Sequence, residues 1–356
     1  MKSLRKTAIL ACVLLLPVPS PAQQTSNPPP QSERQPPPTA PNSGQARIVI
    51  PVNQVIIPVT VKDSSGHLVP DLQKDDFRIF EDGVEQRIGS FSADPYPLSI
   101  VVLLDNDLKS KDAEQVNGSL RAILAGLSSS DEAFVCRFDE YFHPGKGFVS
   151  DQDKLLTELK RTQLDSEPSV APPGSTFNGP TINGHSATSD APTMGAATVN
   201  LKNQPTKALD DAVYNGAQLL KDRGRNRRKI ILLVSDGANG KHANTNTYAN
   251  AVKELLRYDV SVYSLGVSSA FFDRKFSRLV DYAHATGGDV YFAAKRSSME
   301  ELYSRVAEQA RNQYTLAYSP VGTNRAVDYH TIEVRVKREG LTVDARQGYY
   351  VGAAPQ

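Results

Sequence analysis

The feature that most constrains the fold is a regular alternation of apolar strand-like runs and amphipathic helical segments over residues 98–310. Its first strand, LSIVVLLD (98–105), is apolar almost throughout, as is typical of a strand buried on both faces of a parallel sheet. Further strands are predicted in EAFVCRFD, KIILLVSDG, VSVYSLGV and DVYFAA, and helices over 111–127, 151–162, 207–222, 245–258, 273–285 and 298–310. This alternation predicts an α/β fold with a doubly wound, mostly parallel sheet and right-handed crossovers.

Strand-like sequence flanks this region on both sides. An N-terminal β segment is predicted over 47–95, where the pair Asp82-Gly83 separates FRIFE from VEQRIGSF and favours a hairpin turn. A C-terminal β segment is predicted over 311–352, in QYTLAYSP, HTIEVRVKR and LTVDAR. We expect the two segments to pair as a small β-sandwich-like module, with the α/β domain (96–310) inserted between them.

The first 46 residues predict export. Residues 1–22 combine a basic start, a short apolar core and a small-residue exit, which is typical of a secretory signal peptide cleaved after Ala22. The Pro-, Gln- and Ser-rich stretch 23–46 is expected to be a disordered linker. The mature protein is therefore expected in the periplasm, at the cell surface or secreted. Cys12 belongs to the signal, so Cys136 remains alone and is expected to be a buried, inert thiol.

Charge and composition exclude several partners. The net charge is only +1, which argues against nucleic acid, and no later segment is long and apolar enough to span a membrane. The basic run KDRGRNRRK (221–229) is expected to be a solvated helix end and loop. A low-complexity insertion over 163–204 is either an inert loop or a flap over a partner-binding face, since it ends just before a candidate site.

Acidic residues follow two of the predicted parallel strands. Asp105 and Asp107 end the first strand, and Asp236 ends KIILLVSDG. Because ligands of open α/β sheets lie beyond the carboxyl ends of the strands, these carboxylates are expected to meet at one rim. Carboxylates from separate loops suit a hard cation with oxygen ligands.

Three segments resemble the surroundings of the metal site in von Willebrand factor type A domains: LSIVVLLDNDLKS, KALDDAVYNGAQLL and KIILLVSDGANG. The flanking segments VPDLQKDDFRIFEDGVEQRIGSFS and HTIEVRVKREGLTVDARQGYY are similar to those of the related proteins found in Acidobacteria. The resemblance covers about residues 48–352. It implies a Rossmann-like fold and an adhesion or protein-interaction role without catalysis, with an unidentified protein as partner.

The chain departs from the family's metal-site pattern. That pattern is Asp-x-Ser-x-Ser, a Thr and a distant Asp, whereas here Asp107 and Lys109 stand in the two serine positions. Lys207 occupies the place of the threonine, with Thr206 one position earlier. The neutral serines would leave the metal with net charge to attract a partner's carboxylate, so their replacement changes how such a site could work.

Two outcomes follow for this degenerate site. In one, Asp105, Asp107 and Asp236 hold Mg²⁺, Mn²⁺ or Ca²⁺, with Thr206 or Ser110 re-aimed as a further ligand. In the other, the ammonium of Lys109, alone or together with that of Lys207, sits among the carboxylates and replaces the metal. Repulsion between a divalent cation and an adjacent ammonium favours the second outcome.

Two other functions remain open on the sequence. An apolar strand ending in Asp-x-Asp is similar to the start of haloacid dehalogenase-type phosphatases, Mg²⁺-dependent enzymes in which Asp105 would be the nucleophile and Asp107 the general acid. Ser235, Lys253 and Asp289 would complete that site. Alternatively, the protein is a purely structural envelope module with no ligand at the strand ends.

Overall fold

The computed structural model describes residues 54–162, 164, 181–182, 185–186, 207–240, 243–267, 277–293, 295–321 and 327–351. The predicted signal peptide, the linker, most of the 163–204 insertion and Thr206 lie outside the described residues. No helix in the described ranges combines the length and apolar character that a bilayer span requires.

The described strands are β1 Val55–Lys62, β2 Phe77–Glu81, β3 Val84–Gln86, β4 Ile88–Ser92, β5 Leu98–Asp105, β6 Glu132–Phe138, β7 Phe142–Pro144, β8 Thr181–Ile182, β9 His185–Ser186, β10 Arg228–Ser235, β11 Val260–Val267, β12 Val290–Ala293, β13 Tyr314–Tyr318, β14 Tyr329–Val336, β15 Thr342–Ala345 and β16 Gly348–Tyr350. The helices are α1 Ser110–Ser119, α2 Arg121–Ala125, α3 Gln152–Arg161, α4 Leu209–Leu220, α5 Tyr248–Arg257, α6 Arg278–Thr286 and α7 Arg296–Arg311, with a short 3₁₀ turn at Lys74–Asp76.

A six-stranded sheet in the order β12-β11-β10-β5-β6-β7 forms the centre of the α/β region. All neighbours pair in parallel except the edge strand β7, which runs antiparallel to β6. From β5 the chain adds β6 and β7 on one side, and β10, β11 and β12 then follow on the opposite side of β5. The strand order therefore reverses between β5 and β10, which is the switch point where doubly wound sheets bind ligands.

Both faces of this sheet are covered, which explains why β5 is apolar almost throughout. Leu98, Ile100, Val102 and Leu104 face the core beneath α1, α2, α3 and α7, whereas Val101 and Leu103 face α4, α5 and α6. Cys136 lies fully buried in the second of these cores, and burial raises the pKa of its thiol to about 12. The predicted doubly wound α/β fold is confirmed.

The strands from the two ends of the chain form the predicted second module. One sheet has the order β15-β1-β13-β4 and the other β16-β14-β2-β3, so each contains strands from both ends. Their apolar sides enclose one core that includes Ile57, Ile79 and Leu316. The Asp82-Gly83 hairpin lies where the sequence predicts it, and both residues adopt the positive φ angles that such a two-residue turn requires.

Some local predictions were wrong. The single helix expected over 111–127 is two helices, and at their junction the hydroxyl of Ser119 donates to the carbonyl of Val116 at 2.8 Å, competing with the helix backbone. Within the predicted insertion, Leu164 is buried, and its backbone exchanges two hydrogen bonds with the side chain of Asn117. The short edge strand β7 was not predicted.

One buried carboxylate ties the start of β5 to α7 and predicts a pH dependence. Asp131 accepts from the backbone N–H groups of Leu98 (2.7 Å) and Ser128 (2.8 Å) and from the guanidinium of Arg311. Burial alone would raise the pKa of Asp131, but these donors outweigh it, and the pKa lies below its ordinary value.

The carboxylate of Asp131 therefore stabilises the fold above the ordinary pKa of aspartate, and this stabilisation is lost as the pH falls through the lower folded-state pKa. We expect Asp131→Asn to lower the free energy of unfolding by about 2–3 kcal/mol at pH 7, with the gap to wild type narrowing in acid. Urea unfolding of wild type and variant from pH 7 down to pH 3 measures the loss of stability at neutral pH and its decrease in acid. A gap that stays constant over this range would contradict the assignment.

Candidate functional site

The rim at the switch point is built where two neighbouring parallel strands end. Leu104 of β5 pairs with Val234 of β10, so the next residues, Asp105 and Ser235, lie side by side. Asp236 follows at the start of the loop. The carboxylates of Asp105 and Asp236 lie close enough together to contact the same ammonium group.

The ammonium of Lys207 lies between these two carboxylates. Its Nζ is 3.0 Å from Oδ2 of Asp105 and 3.0 Å from Oδ2 of Asp236. The side chain of Lys207 is 4% exposed and that of Asp105 is fully buried, so this pair is inside the protein. Lys207 therefore stands where a cation bound by the two carboxylates would be.

Backbone contacts hold Lys207 in this position just before α4. Its carbonyl accepts from the N–H of Gly240 at 2.8 Å, and the N–H of the next residue, Ala208, donates to the carbonyl of Asp139 at 2.7 Å. The segment is thus fixed to the loops after both β10 and β6. The fixed backbone directs the side chain of Lys207 into the rim, where its ammonium contacts the two carboxylates.

The remaining hydrogen-bonding capacity of Asp105 is also used. Ser235 Oγ donates to its Oδ2 at 2.7 Å, and the backbone N–H of Asp107 donates to its Oδ1 at 3.0 Å. Ser235 in turn accepts from the N–H of Gly237, whose φ of 79° and contact with Ser277 leave no room for a side chain. The buried side chain of Asp105 therefore accepts three hydrogen bonds, from Lys207, Ser235 and the backbone of Asp107.

The electrostatics favour a charged Lys207. Burial lowers the pKa of a lysine, but the carboxylates of Asp105 and Asp236 outweigh it and raise the pKa of Lys207 above its ordinary value. Burial raises the pKa of Asp105 against the lowering effect of Lys207 and Ser235. Such a pair gains little net stability from being buried, but it is strongly destabilised when one partner is removed.

The other predicted rim residues lie further out. Asp107, Lys109 and Ser110 are all exposed. Lys109 caps α1 through its carbonyl, which accepts from Asp112 and Ala113, and none of the described acidic groups forms an ion pair with its ammonium. The lysine among the carboxylates is therefore Lys207 and not Lys109, the position on which the sequence argument placed most weight. Thr206 lies outside the described residues.

A second polar group beside the rim was missed by the sequence argument. Asp139, directly after β6, accepts from Nδ2 of Asn106 at 3.3 Å and pairs with Nε2 of His143 at 2.9 Å. Oδ1 of Asn106 is buried without a hydrogen-bond partner in the described structure. The strand-end rule that selected Asp105 would also have selected Asp139, because EAFVCRFD ends in the same way.

The acidic pair that opens α4 supports the loops and does not contact Lys207. Asp210 accepts from the hydroxyl of Tyr282 (2.7 Å) and from Nδ2 of Asn239 (2.8 Å). Asp211 accepts from the backbone N–H groups of Thr245 and Asn246. These contacts fix the loop after β10 and so the position of Asp236.

The donor set at the rim does not fit a divalent cation while Lys207 occupies it. Both carboxylates that would bind the ion already face an ammonium at hydrogen-bond distance, and a second positive charge there would be repelled. A different cluster with possible metal ligands lies in the β-sandwich, where Glu81, Asp82 and His330 bring one ligand atom each within 4.8 Å of one another. There, Nδ1 of His330 is 2.6 Å from Asp82 and 3.8 Å from Glu81.

The structure separates the residues that a phosphatase would need. Lys253 lies on α5 with its ammonium over the ring of Tyr350, 5.2 Å from the centroid. Asp289 precedes β12 and pairs with Lys62, so it lies at the opposite end of the sheet from Asp105. The assignment of these two residues to a haloacid dehalogenase-type site is therefore wrong.

No family model matches the chain, and no curated protein matches it. Solved structures do resemble it. One is a von Willebrand factor type A structure from Catenulispora acidiphila, at 9% identity and a TM-score of 0.43, covering 78% of this chain and 75% of that one.

Two further structures belong to proteins described with bound metal. The manganese-loaded TRAP protein of Plasmodium vivax has 10% identity and a TM-score of 0.38, covering 76% of this chain and 98% of that one. Proximal thread matrix protein 1 from the mussel byssus, with a zinc-occupied MIDAS motif, has 12% identity and a TM-score of 0.41. That match covers 66% of this chain and only half of the mussel protein. At these scores the likeness transfers no residue role.

Proposed function

We propose that this protein is an exported, non-enzymatic protein-interaction module of the von Willebrand factor type A kind, and that its switch-point rim is the recognition face. The observation that supports the proposal most is Lys207, whose ammonium lies 3.0 Å from the carboxylates of both Asp105 and Asp236. A protein cation at that position maintains the rim without a metal ion. Recognition would then use direct side-chain contacts and would not need a metal to bridge the two proteins.

Burial of Asp105 supports a non-enzymatic role. A nucleophilic carboxylate must reach its substrate, whereas Asp105 is fully buried and its two oxygens accept from Lys207, Ser235 and the backbone of Asp107. A phosphoryl donor would have to displace these contacts before any bond could form. Turnover of p-nitrophenyl phosphate with Mg²⁺ that disappears in Asp105→Asn would overturn this part of the proposal.

Exposed residues around the buried pair provide the surface for a partner. Asp107 and Glu140 are exposed beside the rim, and the half-buried Asp139 pairs with the exposed His143 of the edge strand β7. Exposed charges at an interface mainly set specificity and the rate of association. Reversal of one such charge is therefore expected to weaken binding while the buried Lys207 pair stays intact.

The proposal is tested by capture of partners from envelope extracts of the source organism on the immobilised mature chain. We expect a captured protein whose retention falls about tenfold in Asp107→Lys, because the reversed charge opposes its contact surface. Glu339→Lys is the matched control, since it makes the same charge change at an exposed residue of the distant β-sandwich. Retention is expected to be unaffected by this control and by a chelator.

Other outcomes have clear meanings. If every captured protein binds wild type and Asp107→Lys equally, the rim is not the recognition face, and a purely structural module becomes the better account. If a chelator abolishes retention by the wild-type chain, recognition requires a metal ion and Lys207 does not replace it.

A further inference from the structure

The basic run that precedes and begins β10 is not the solvated loop that its composition predicts. Arg228 and Lys229 are drawn into the protein and are only 7% and 8% exposed. They lie at the end of the sheet opposite the rim, where β10 begins next to β1 and β13. Two buried cations in adjacent positions require a compensating anion or a set of acceptors.

Arg228 has acceptors but no counter-ion among the described residues. Its Nη2 donates to the carbonyl of Gln313 at 3.0 Å and to Oγ1 of Thr315 at 2.7 Å, and the guanidinium lies 4.7 Å from the ring centroid of Tyr96. Its Nε is buried without a hydrogen-bond partner in the described structure. Burial lowers the pKa of Arg228 to about 10, in keeping with a cation that lacks a paired carboxylate.

Lys229 is also buried, but its surroundings differ from those of Arg228. Burial lowers its pKa, and none of the ion pairs formed among the described residues includes its ammonium. Asp259 is the one acidic residue among those that line the same cavity, and it is already paired with Arg346. The carboxylates of Asp259 and Asp222 oppose this lowering, so Lys229 has acidic groups nearby, whereas Arg228 has no carboxylate partner among the described residues.

A small cavity lies against these groups. It has a volume of about 40 Å³ and is lined by Arg228 and Lys229 together with Arg225, Arg227, Ile56 and Gln313. A single water needs about 10–15 Å³, so this cavity has room for a small polar guest. Arg225 is exposed in the loop before β10, so an anion from solvent has a charged group to meet first.

We infer that this cavity is a binding site for a small oxyanion of the phosphate or sulfate class, held by Arg228 and Lys229 with Arg225 at its mouth. The guanidinium presents N–H donors in a fixed planar arrangement that matches oxyanion geometry, and the ammonium adds a compact positive charge. Binding would supply Arg228 with a counter-ion at the seam between the central sheet and the strands β1 and β13. This site is independent of the rim and of the proposed recognition function.

Titration calorimetry with inorganic phosphate, at ionic strength held constant with sodium chloride, tests the inference on the full mature chain. We expect saturable one-site binding that Arg225→Gln and Lys229→Met each weaken about ten- to a hundredfold, the effect of losing one charge-assisted contact. Arg225 is exposed, so Arg225→Gln is expected to leave the fold intact. Phosphate should also raise the temperature of thermal unfolding, and this increase should be smaller for Arg225→Gln and Lys229→Met than for wild type.

Lys221→Gln is the matched control, because it removes one charge from the same basic run at an exposed residue that does not line the cavity. It should bind phosphate as wild type does. The inference is overturned if wild type shows no saturable binding at constant ionic strength, or if Arg225→Gln and Lys221→Gln bind equally. A sulfate titration then shows whether the site selects phosphate or accepts tetrahedral oxyanions generally.

Discussion

Lys207→Met should lower the free energy of unfolding by about 3–5 kcal/mol, the largest effect we expect from a single substitution in this protein. The loss arises because Asp105 would remain as a fully buried carboxylate without its cationic partner. Urea unfolding at neutral pH measures it. Lys109→Met is the matched control, since Lys109 is exposed and its removal should change stability by less than about 0.5 kcal/mol.

A double variant separates the ion pair from packing. Asp105→Asn in the Lys207→Met background removes the buried negative charge, so it should recover part of the lost stability. If Lys207→Met is no less stable than Lys109→Met, the ammonium of Lys207 does not stabilise the buried carboxylate of Asp105. An absence of recovery in the double variant would instead assign the loss to packing of the lysine stem.

The second large effect is the creation of a divalent cation site by Lys207→Thr. The substitution removes the ammonium and leaves the carboxylates of Asp105 and Asp236, the hydroxyl of Ser235 and a new hydroxyl around the vacated volume. Mn²⁺ should then stabilise the variant by about 2.7 kcal/mol at a hundredfold excess over its Kd. Thermal unfolding and calorimetry with Mn²⁺ and Mg²⁺ provide the measurement.

Wild type and Lys207→Met are the comparisons for this experiment. Wild type retains the ammonium, so it should gain no rim-dependent stability from Mn²⁺. Lys207→Met keeps the two carboxylates but adds no oxygen ligand, so it should gain less stability than Lys207→Thr. Tight Mn²⁺ binding by wild type that Asp105→Ala abolishes would show that a metal displaces Lys207 and would contradict the metal-free rim. Any binding that persists in Asp105→Ala belongs to another site, such as the cluster at His330.

The sequence predicted the central sheet well because its strands are buried on both faces. The strand over 98–105 and the strand over 260–267 have the bounds that their apolar runs indicate. The meeting of Asp105 and Asp236 followed from one rule about where parallel strands end. These features depend on periodicity and topology, which a single sequence carries.

Features that depend on backbone direction could not be predicted in the same way. The sequence pointed first to Lys109 as the ammonium among the carboxylates, and only the hydrogen bonds of the Lys207 backbone to the loops after β6 and β10 explain why Lys207 takes that place. Likewise, strand sequence over 84–92 does not show that β3 and β4 belong to different sheets. Arg228 was misassigned because a polar composition does not show which side chains tertiary packing will bury.

The pairing of β1 with β13 has a consequence for how the chain is made. Val55 of β1 pairs with Tyr318 of β13, and β2 pairs with β14. The partners of β1 and β2 are therefore synthesised only when most of the chain has been made. During that interval the apolar sides of β1 and β2 are unprotected, and strands in this condition are prone to aggregation. Chains that pause or end before residue 314 therefore lack the partner strand of β1, even when their central sheet is already complete. We expect such chains to need a chaperone that prevents their aggregation.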